Sequence, residues 1–340
     1  MEGRRERNGS VPTRRALFIC GSLNQTTQLH AVARALPNLD AFFTPFFCGT
    51  AVTALRHLGL LENTIGGDKL RGRCLRYLEQ HRLNVDLDGA RADYDLIVAC
   101  TDLALPKRVF RSPVVVVQEG ILDPPGLGWE LVRRFPRALP HWLAGTTATG
   151  LSGRYQRFCV ASSGYRDLFV ARGASAERIR VTGIPNFDDC ESFRNNDFPH
   201  RDYVLVCSSD ARETFKRHDR PAFIRKALKI ARDRELFFKL HPNEHVARAR
   251  REIERLAPRA VVFAEGPTNA MIANCSVLVT EWSSVAFVGL ALGKEVHSSH
   301  PRAELERFLP EQNRSAAARI ARVCEELLPQ ASSQTTEVAA

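Results

Sequence analysis

Polar side chains capable of chemistry follow the apolar runs of this sequence at five places. The most informative run, Phe237–Leu240, ends directly on His241 and Pro242. A proline here ends strand pairing, because it has no amide proton to donate. The imidazole of His241 can then donate a hydrogen bond to a phosphate or accept a proton. The alternative is an ordinary surface histidine in a loop.

A pair of hydroxyl side chains, Ser283 and Ser284, follows the apolar run Val277–Thr280. One of the two is expected to cap the helix that comes next. A helix start that carries two hydroxyls and free amide groups also favours a phosphate. The pair is therefore a candidate phosphate site, and the two roles are compatible.

A carboxylate, Glu119, follows the run Val114–Val117 and precedes Gly120. If Glu119 faces a cleft between two domains, it is a candidate general base. The alternative is a turn with a solvated glutamate. Asp123 and Asp102 are the next candidates for a base.

A glycine turn with Gly21 and Ser22 follows the first apolar run, Ala16–Cys20. The turn lacks the spacing of a dinucleotide-binding glycine motif, so a dinucleotide site is poorly supported. We expect Asn24 or Thr26 to cap the following helix.

Ser208, Ser209 and Arg212 follow the run Tyr203–Cys207. Arg212 either pairs with a diphosphate or is an ordinary surface arginine. Two further residues expected to bind a nucleotide lie at or just after the ends of neighbouring runs: Lys239 and Glu265.

The sequence shows no convincing metal-ligand pattern. His241 and His245 are spaced like the histidines of a zinc-binding helix, but the residues around them do not match that motif and no third ligand is evident. We therefore expect no metal and no cofactor.

Short apolar runs alternate with helical patterns along most of the chain, which predicts parallel sheets covered by helices on both faces. The expected strands are Ala16–Cys20, Ala41–Phe47, Leu96–Cys100, Val114–Val117, Phe158–Ala161, Ile179–Thr182, Tyr203–Cys207, Leu236–Leu240, Ala260–Phe263, Val277–Thr280 and residues 295–296. The expected helices are 26–36, 51–61, 68–81, 221–234, 244–256, 269–274, 284–292 and 315–328.

The length of 340 residues and the globular composition, with 44% hydrophobic and 25% charged residues, indicate two domains. The α/β pattern predicts two tandem Rossmann-like domains with a cleft between them. The expected boundaries are a disordered start at 1–14, a first domain at 15–189, a linker at 190–201, a second domain at 202–312, a helix at 313–328 and a disordered tail at 329–340.

The formal net charge is +10, but no zinc-finger spacing or aromatic-studded basic stretch accompanies it. Nucleic acid is therefore not an expected partner, whereas an anionic nucleotide or an anionic membrane surface fits the charge. The nine cysteines are scattered singly, which is typical of reduced thiols in a cytosolic protein. No apolar run reaches the ~20 residues that cross a bilayer, and the polar, arginine-rich start does not resemble a signal peptide.

The segments "VTGIPNF", "KLHPNE" and "TEWSSV" resemble the GT-B superfamily over about Ala16 to Ser298. This superfamily holds nucleotide-sugar glycosyltransferases and UDP-N-acetylglucosamine 2-epimerases. The motif set is most similar to capsule and cell-wall transferases with CMP- or CDP-activated donors: polysialyltransferases, Kdo transferases and CDP-glycerol glycerophosphotransferases. Their acidic-Gly, HP and Ser-Ser motifs match Glu119-Gly120, His241-Pro242 and Ser283-Ser284 in that order.

The resemblance implies that His241, Ser283 and Ser284 hold the donor phosphate and that Glu119 takes the proton of the acceptor hydroxyl. It also implies that the domain at 15–189 binds the acceptor, that the domain at 202–312 binds the nucleotide donor, and that the last helix packs back on the first domain. One departure is Gln118, where the family more often has a second acidic residue. The expected substrates are a CMP-, CDP- or UDP-linked sugar and a glycan or lipid-linked acceptor.

Three functions remain open from the sequence. The first is a metal-independent glycosyltransferase that moves a sugar or glycerol phosphate from a nucleotide-activated donor, in the cytoplasm and in peripheral contact with the inner face of the membrane. The second is a 2-epimerase-like nucleotide-sugar enzyme, although the sequence lacks a His-Arg-Glu-Asn-like segment after Val206 and an Asp-Ser-Gly-Gly segment. The third is a GT-B-like protein that binds a nucleotide or glycan without turnover.

Overall fold

Two parallel β-sheets organise the chain. The computed structural model describes residues 14–49, 66–91, 93–122, 125–135, 138–213 and 218–328. The expected helix at 51–61 and the expected disordered tail at 329–340 lie outside the described residues, as do residues 1–13 of the expected disordered start.

The first sheet has the strand order β2-β1-β3-β4-β5-β6, and all its pairs are parallel. Its strands are β1 (Arg14–Cys20), β2 (Leu39–Pro45), β3 (Leu96–Ala99), β4 (Val114–Val117), β5 (Arg157–Val160) and β6 (Ile179–Val181). Every residue of β3 and β4 is buried, as expected for central strands with helices on both faces.

The second sheet has the strand order β11-β10-β7-β8-β9 and is also parallel. Its strands are β7 (Val204–Cys207), β8 (Leu236–Lys239), β9 (Val261–Phe263), β10 (Val277–Val279) and β11 (Glu295–His297). All the expected strands are present, and the predicted fold of two tandem α/β domains is confirmed.

Helices connect the strands and cover the sheets. The helices of the first domain are α1 (Leu23–Arg34), α2 (Asp68–Gln80), α3 (Leu127–Arg134) and α4 (Ser163–Ala171). Those that follow are α5 (Arg220–Ala231), α6 (Val246–Leu256), α7 (Thr268–Asn274), α8 (Val285–Ala291), α9 (Arg302–Phe308) and α10 (Ala316–Glu325). The sequence analysis did not predict α3, α4 or α9.

The last two helices pack on the first domain. Tyr165 of α4 stacks on Phe308 of α9 with ring centroids 4.7 Å apart. Gly164 is required beside them, because a Cβ atom there would lie 2.1 Å from the carbonyl oxygen of Arg307. In α10, the Arg319 guanidinium donates to the Val181 carbonyl at the end of β6 (2.8 Å).

Residues 190–201, expected as a linker, connect the two sheets and are anchored to the second domain. Arg194 donates to the carbonyl of Leu292 (2.8 Å). The amides of Asn196 and Asn274 exchange hydrogen bonds of 3.1 and 3.0 Å. These bonds hold the connection against the loops next to α7 and α8.

Candidate functional site

A cavity of about 930 Å³ lies between the two domains, where residues that follow the carboxyl ends of strands from both sheets come together. Open parallel sheets bind ligands at this edge. The cavity is lined by many of the residues that the sequence singled out, namely Ser22, Asn24, Glu119, Ser208, Lys239, His241, Pro242, Ser283 and Ser284.

The carboxylate of Glu119 is held by the start of α1. One oxygen accepts from the Ser22 hydroxyl (2.6 Å) and the other from the Gln25 side-chain amide (2.5 Å). Both donors are neutral, and among the described residues no cationic side chain forms an ion pair with this carboxylate, which lines the cavity. This arrangement is more typical of a general base than of a solvated glutamate in a turn.

The alternative bases differ from Glu119. Asp102 is buried and accepts from the backbone amides of Gly150 (2.8 Å) and Ser152 (3.0 Å), so it holds a loop of the first domain. Asp123 lies outside the described residues.

The cap of α1 differs from the expectation. Ser22 caps the helix, because its hydroxyl accepts from the Gln25 amide (3.2 Å), whereas neither Asn24 nor Thr26 does so. Asn24 instead accepts from the side chain of Asn186 through its backbone and side-chain oxygens (2.8 and 2.7 Å). The turn at Gly21 brings Ser22 to the helix start, so one residue both caps α1 and orients Glu119.

His241 enters the cavity as a neutral hydrogen-bond donor. Its Nδ1 atom accepts from the Asn243 amide (3.2 Å), which assigns the proton of the neutral ring to Nε2. Burial lowers the pKa of His241 below its usual value, so the ring is uncharged at pH 7. Within the described ranges, Nε2 has no hydrogen-bond partner and is available to a ligand.

A buried carboxylate positions the loop that carries His241. Glu244, which is 6% exposed, accepts from the His241 amide (2.9 Å) and from the Ser208 hydroxyl. The guanidinium of Arg220, which is 2% exposed, donates to the other oxygen of Glu244. Ser208 therefore supports the loop instead of presenting a free hydroxyl. The sequence analysis missed Glu244 and Arg220, although a charged residue close to a buried strand end was a usable signal.

Lys239 lies at the end of β8 and is buried. Its ammonium donates to the carbonyls of Leu240 (2.9 Å) and Ala264 (3.3 Å). Burial lowers the pKa of Lys239. An ammonium group held in this way adds positive potential beside His241.

Of the two serines before α8, Ser283 supplies the side-chain acceptor at the helix start, as expected for one of the pair. Ser284 has helical backbone angles and forms no side-chain cap, because its hydroxyl faces the first domain and accepts from the Ile121 amide (3.2 Å). The hydroxyl of Ser283 accepts from the amide of Val285, two residues further along (3.5 Å). Gly120 permits the approach of Ser284, since a Cβ atom at Gly120 would lie 2.6 Å from the Ser284 hydroxyl oxygen. The acidic-Gly and Ser-Ser segments therefore meet across the cleft.

Three of the expected nucleotide-binding residues do not line the cavity. Arg212 forms a two-point ion pair with Glu252 (2.7 and 2.8 Å), which engages its guanidinium. Ser209 donates to Glu281 (3.1 Å), and Glu265 is exposed on the surface. All three residues lie close to strand ends, as expected. Acidic partners engage Arg212 and Ser209, and Glu265 faces solvent, so none of the three reaches the cavity.

Arg73 is a cavity residue that the sequence analysis missed. It lies on α2 of the first domain and donates across the cleft to the Asn243 side chain and to the Pro242 carbonyl, both at 2.9 Å. These acceptors are neutral, so the positive charge of Arg73 remains available to an anion. An arginine on a helix surface carries no sequence signal for this role.

Neither a metal-binding cluster nor a membrane-spanning helix occurs among the residues that the structure describes. They contain no group of three or more His, Cys, Asp or Glu side chains that could hold a metal ion. They also contain no helix long and apolar enough to span a membrane.

The comparisons with known proteins show the fold. No protein-family model matches the chain, and no curated protein matches it in sequence. Among solved structures, UDP-GlcNAc 2-epimerase from Neisseria meningitidis bound to UDP-GlcNAc has a TM-score of 0.53 at 11% identity, over 92% of this chain and 99% of that chain.

Two further solved structures are similar. Anabaena Alr3699/HepE in complex with UDP has a TM-score of 0.52 at 12% identity, over 93% of this chain and 95% of that chain. A variant of the wall teichoic acid polymerase TagF has a TM-score of 0.51 at 12% identity, over 93% of this chain and 89% of that chain. The chain thus has the two-domain fold of these epimerases and transferases, which is the predicted GT-B type.

Proposed function

We propose that this protein is a nucleotide-sugar enzyme, and specifically a metal-independent glycosyltransferase. The observation that carries the proposal is the pairing, within one cavity, of a carboxylate from the first domain with an imidazole donor from the second. The UDP and UDP-sugar complexes among its structural neighbours support a nucleotide-sugar ligand. The acceptor would be a surface glycan or a lipid-linked precursor.

In this proposal, the donor phosphates bind on the second-domain side of the cavity. As the bond from the sugar carbon to the phosphate oxygen breaks, negative charge develops on the leaving nucleotide. The Nε2 proton of His241 and the charges of Lys239 and Arg73 would stabilise that charge. Because these groups are already oriented by the protein, little reorganisation is needed during the reaction.

Glu119 would act on the other substrate. The acceptor hydroxyl attacks the sugar carbon and gives its proton to the Glu119 carboxylate, which Ser22 and Gln25 hold in place. The base belongs to the first domain and His241 and Lys239 of the phosphate site to the second, so contacts across the cleft align donor and acceptor. The Ser284–Ile121 and Arg73–Pro242 hydrogen bonds are such contacts.

A second candidate is a 2-epimerase-like reaction on the nucleotide sugar. It is favoured by the neighbour bound to UDP-GlcNAc, which matches over 92% of this chain. An epimerase would use Glu119 on the sugar itself and would need no acceptor.

The test begins with thermal shift and calorimetry against CMP, CDP, UDP and their sugar conjugates. At a concentration about 100-fold above Kd, a ligand of the folded state adds about 2.7 kcal/mol to the free energy of unfolding. Stabilisation by at least one nucleotide is expected, and stabilisation by none would contradict the proposal.

The bound nucleotide sugar is then incubated with candidate acceptors, and products are separated by mass spectrometry. A sugar–acceptor product with released nucleotide supports the transferase. An epimerised nucleotide sugar formed without acceptor supports the second candidate, and binding with neither product supports a binding protein without turnover. Arg302→Gln, a change in an exposed ion pair with Glu306, serves as the control variant.

A further inference from the structure

A cluster of exposed apolar side chains covers one surface of the first domain. Within the described residues, five of the twelve exposed large apolar side chains come from the stretch 127–143. They are Leu127, Leu131, Phe135, Trp142 and Leu143, which we call the apolar patch. Large contiguous patches of exposed apolar side chains are rare on protein surfaces that face water, and they usually mark an interaction site.

The apolar patch is built by α3 and the 3₁₀ segment His141–Ala148, which pack together. Leu127 and Leu131 are one helical turn apart and are 86% and 53% exposed. Gly128 allows the two segments to touch, since a Cβ atom there would lie 2.3 Å from the Leu143 carbonyl oxygen. The opposite side of α3 buries Val132 in the domain. Because α3 packs through Val132, Leu127 and Leu131 lie on its solvent-facing side.

The charges around the apolar patch are mostly positive. Residues 125–154 contain four arginines and a single acidic residue, Glu130. Arg133 pairs with Glu130 (2.8 Å), whereas Arg134 forms no ion pair with any described residue. Exposed leucines and a tryptophan flanked by arginines match the interface of an anionic lipid bilayer, where apolar side chains enter the acyl boundary and cations meet the headgroups.

The position of the apolar patch relates it to the cavity. It lies on the connection from β4 to β5, and α3 is the first helix after Glu119. The apolar patch and Glu119 therefore belong to the same connection between neighbouring strands.

We propose that the apolar patch docks the protein on anionic membranes. The side chains of Leu127, Leu131 and Trp142 insert at the headgroup boundary, and Arg134 contacts lipid phosphates. This inference does not depend on the proposed enzymatic function, because it rests on exposure and charge outside the cavity.

The test is flotation of the full-length protein with vesicles of phosphatidylglycerol or of phosphatidylcholine. We expect binding to phosphatidylglycerol and much weaker binding to phosphatidylcholine. The double variant Leu127→Ser/Leu131→Ser should reduce the partition coefficient at least about tenfold, since complete burial of one leucine can alone be worth that factor. Arg134→Gln should reduce it about fivefold, the effect of one cation near an anionic surface.

The matched control is Val246→Ser/Val261→Ser, which removes two exposed apolar side chains from the second domain. It should bind vesicles like the wild type. Thermal shift with nucleotide on the same samples separates this test from that of the proposed function, because the leucine variant should respond like the wild type.

Three results would overturn the proposal: no binding of the wild type to phosphatidylglycerol, an equal loss in the control variant, or full binding by the leucine variant. A wild-type dimer that Leu127→Ser/Leu131→Ser dissociates, without vesicle binding, would assign the apolar patch to a second copy of the chain instead.

Discussion

Replacing Glu244 with alanine tests how the protein positions the loop that carries His241. The Glu244 carboxylate accepts from three donors: the Arg220 guanidinium, the Ser208 hydroxyl and the His241 amide. Both charged partners are almost fully buried. The substitution therefore leaves a buried guanidinium without its main counter-charge.

The expected loss follows from this burial. Removing one partner of a buried ion pair costs about 3–5 kcal/mol, because the remaining charge stays desolvated. Glu252 lies 3.9 Å from the Nε atom of Arg220 and compensates part of that charge. We therefore expect a loss of about 3 kcal/mol in the free energy of unfolding of the second domain, measured by urea titration. The exposed ion pair of Arg302 and Glu306 provides the control, since Glu306→Gln should change the free energy of unfolding by less than about 1 kcal/mol.

A double variant separates stability from positioning. Replacing both partners with apolar residues, as in Arg220→Met/Glu244→Leu, removes the unpaired charge and should recover much of the stability. It does not restore the carboxylate that binds both the His241 amide and the Ser208 hydroxyl, so the loop loses its anchor and nucleotide affinity should stay reduced. A loss below about 1 kcal/mol for Glu244→Ala, or normal nucleotide affinity in the double variant, would refute this reasoning.

Three further outcomes are expected. His241→Ala should weaken nucleotide binding about 10- to 100-fold in calorimetry, the value of a hydrogen bond to a charged group, with an unchanged melting curve; unchanged affinity would remove His241 from the site. Activity should survive EDTA, because His241, Lys239 and Arg73 can balance the leaving phosphate; loss of activity that magnesium or manganese restores would contradict this. Since burial lowers the pKa of His241, the ring gains its second proton only below about pH 6.5. Affinity for a nucleotide sugar should therefore be constant above that pH and rise as the pH falls below it, and His241→Gln should abolish the rise.

The strand pattern of this chain was readable from sequence because buried parallel strands are continuous apolar runs. The run Val114–Val117 is one example, and its boundaries are those of β4. The strand ends then indicated where polar residues would gather, which is how Glu119 and His241 were found. Helices were harder to predict: α4 is nine residues long, and it packs through Tyr165 and Gly164 against a helix far along the chain.

The site residues that escaped prediction depend on contacts between distant segments. Arg73 reaches Pro242, 169 positions away, and Ser284 meets Ile121 across the cleft. Nothing in the local sequence distinguishes Arg73 from other helical arginines. Arg212 shows the converse, because Glu252 lies 40 positions away and draws its guanidinium away from the cavity. The partners of these side chains are set by the tertiary fold and cannot be identified from the local sequence.

The central claim is that Glu119 performs chemistry in a cavity whose nucleotide site is built mainly by the other domain. The most direct measurement compares nucleotide-sugar affinity and turnover of Glu119→Gln with those of the wild type. Glutamine keeps the shape and the hydrogen bond from Ser22 but has no basicity. The proposed mechanism gives unchanged affinity and a turnover reduced about 10²–10⁴-fold, the usual loss on removing a general base. A reduction of less than about tenfold, or a parallel loss of nucleotide affinity, would contradict it.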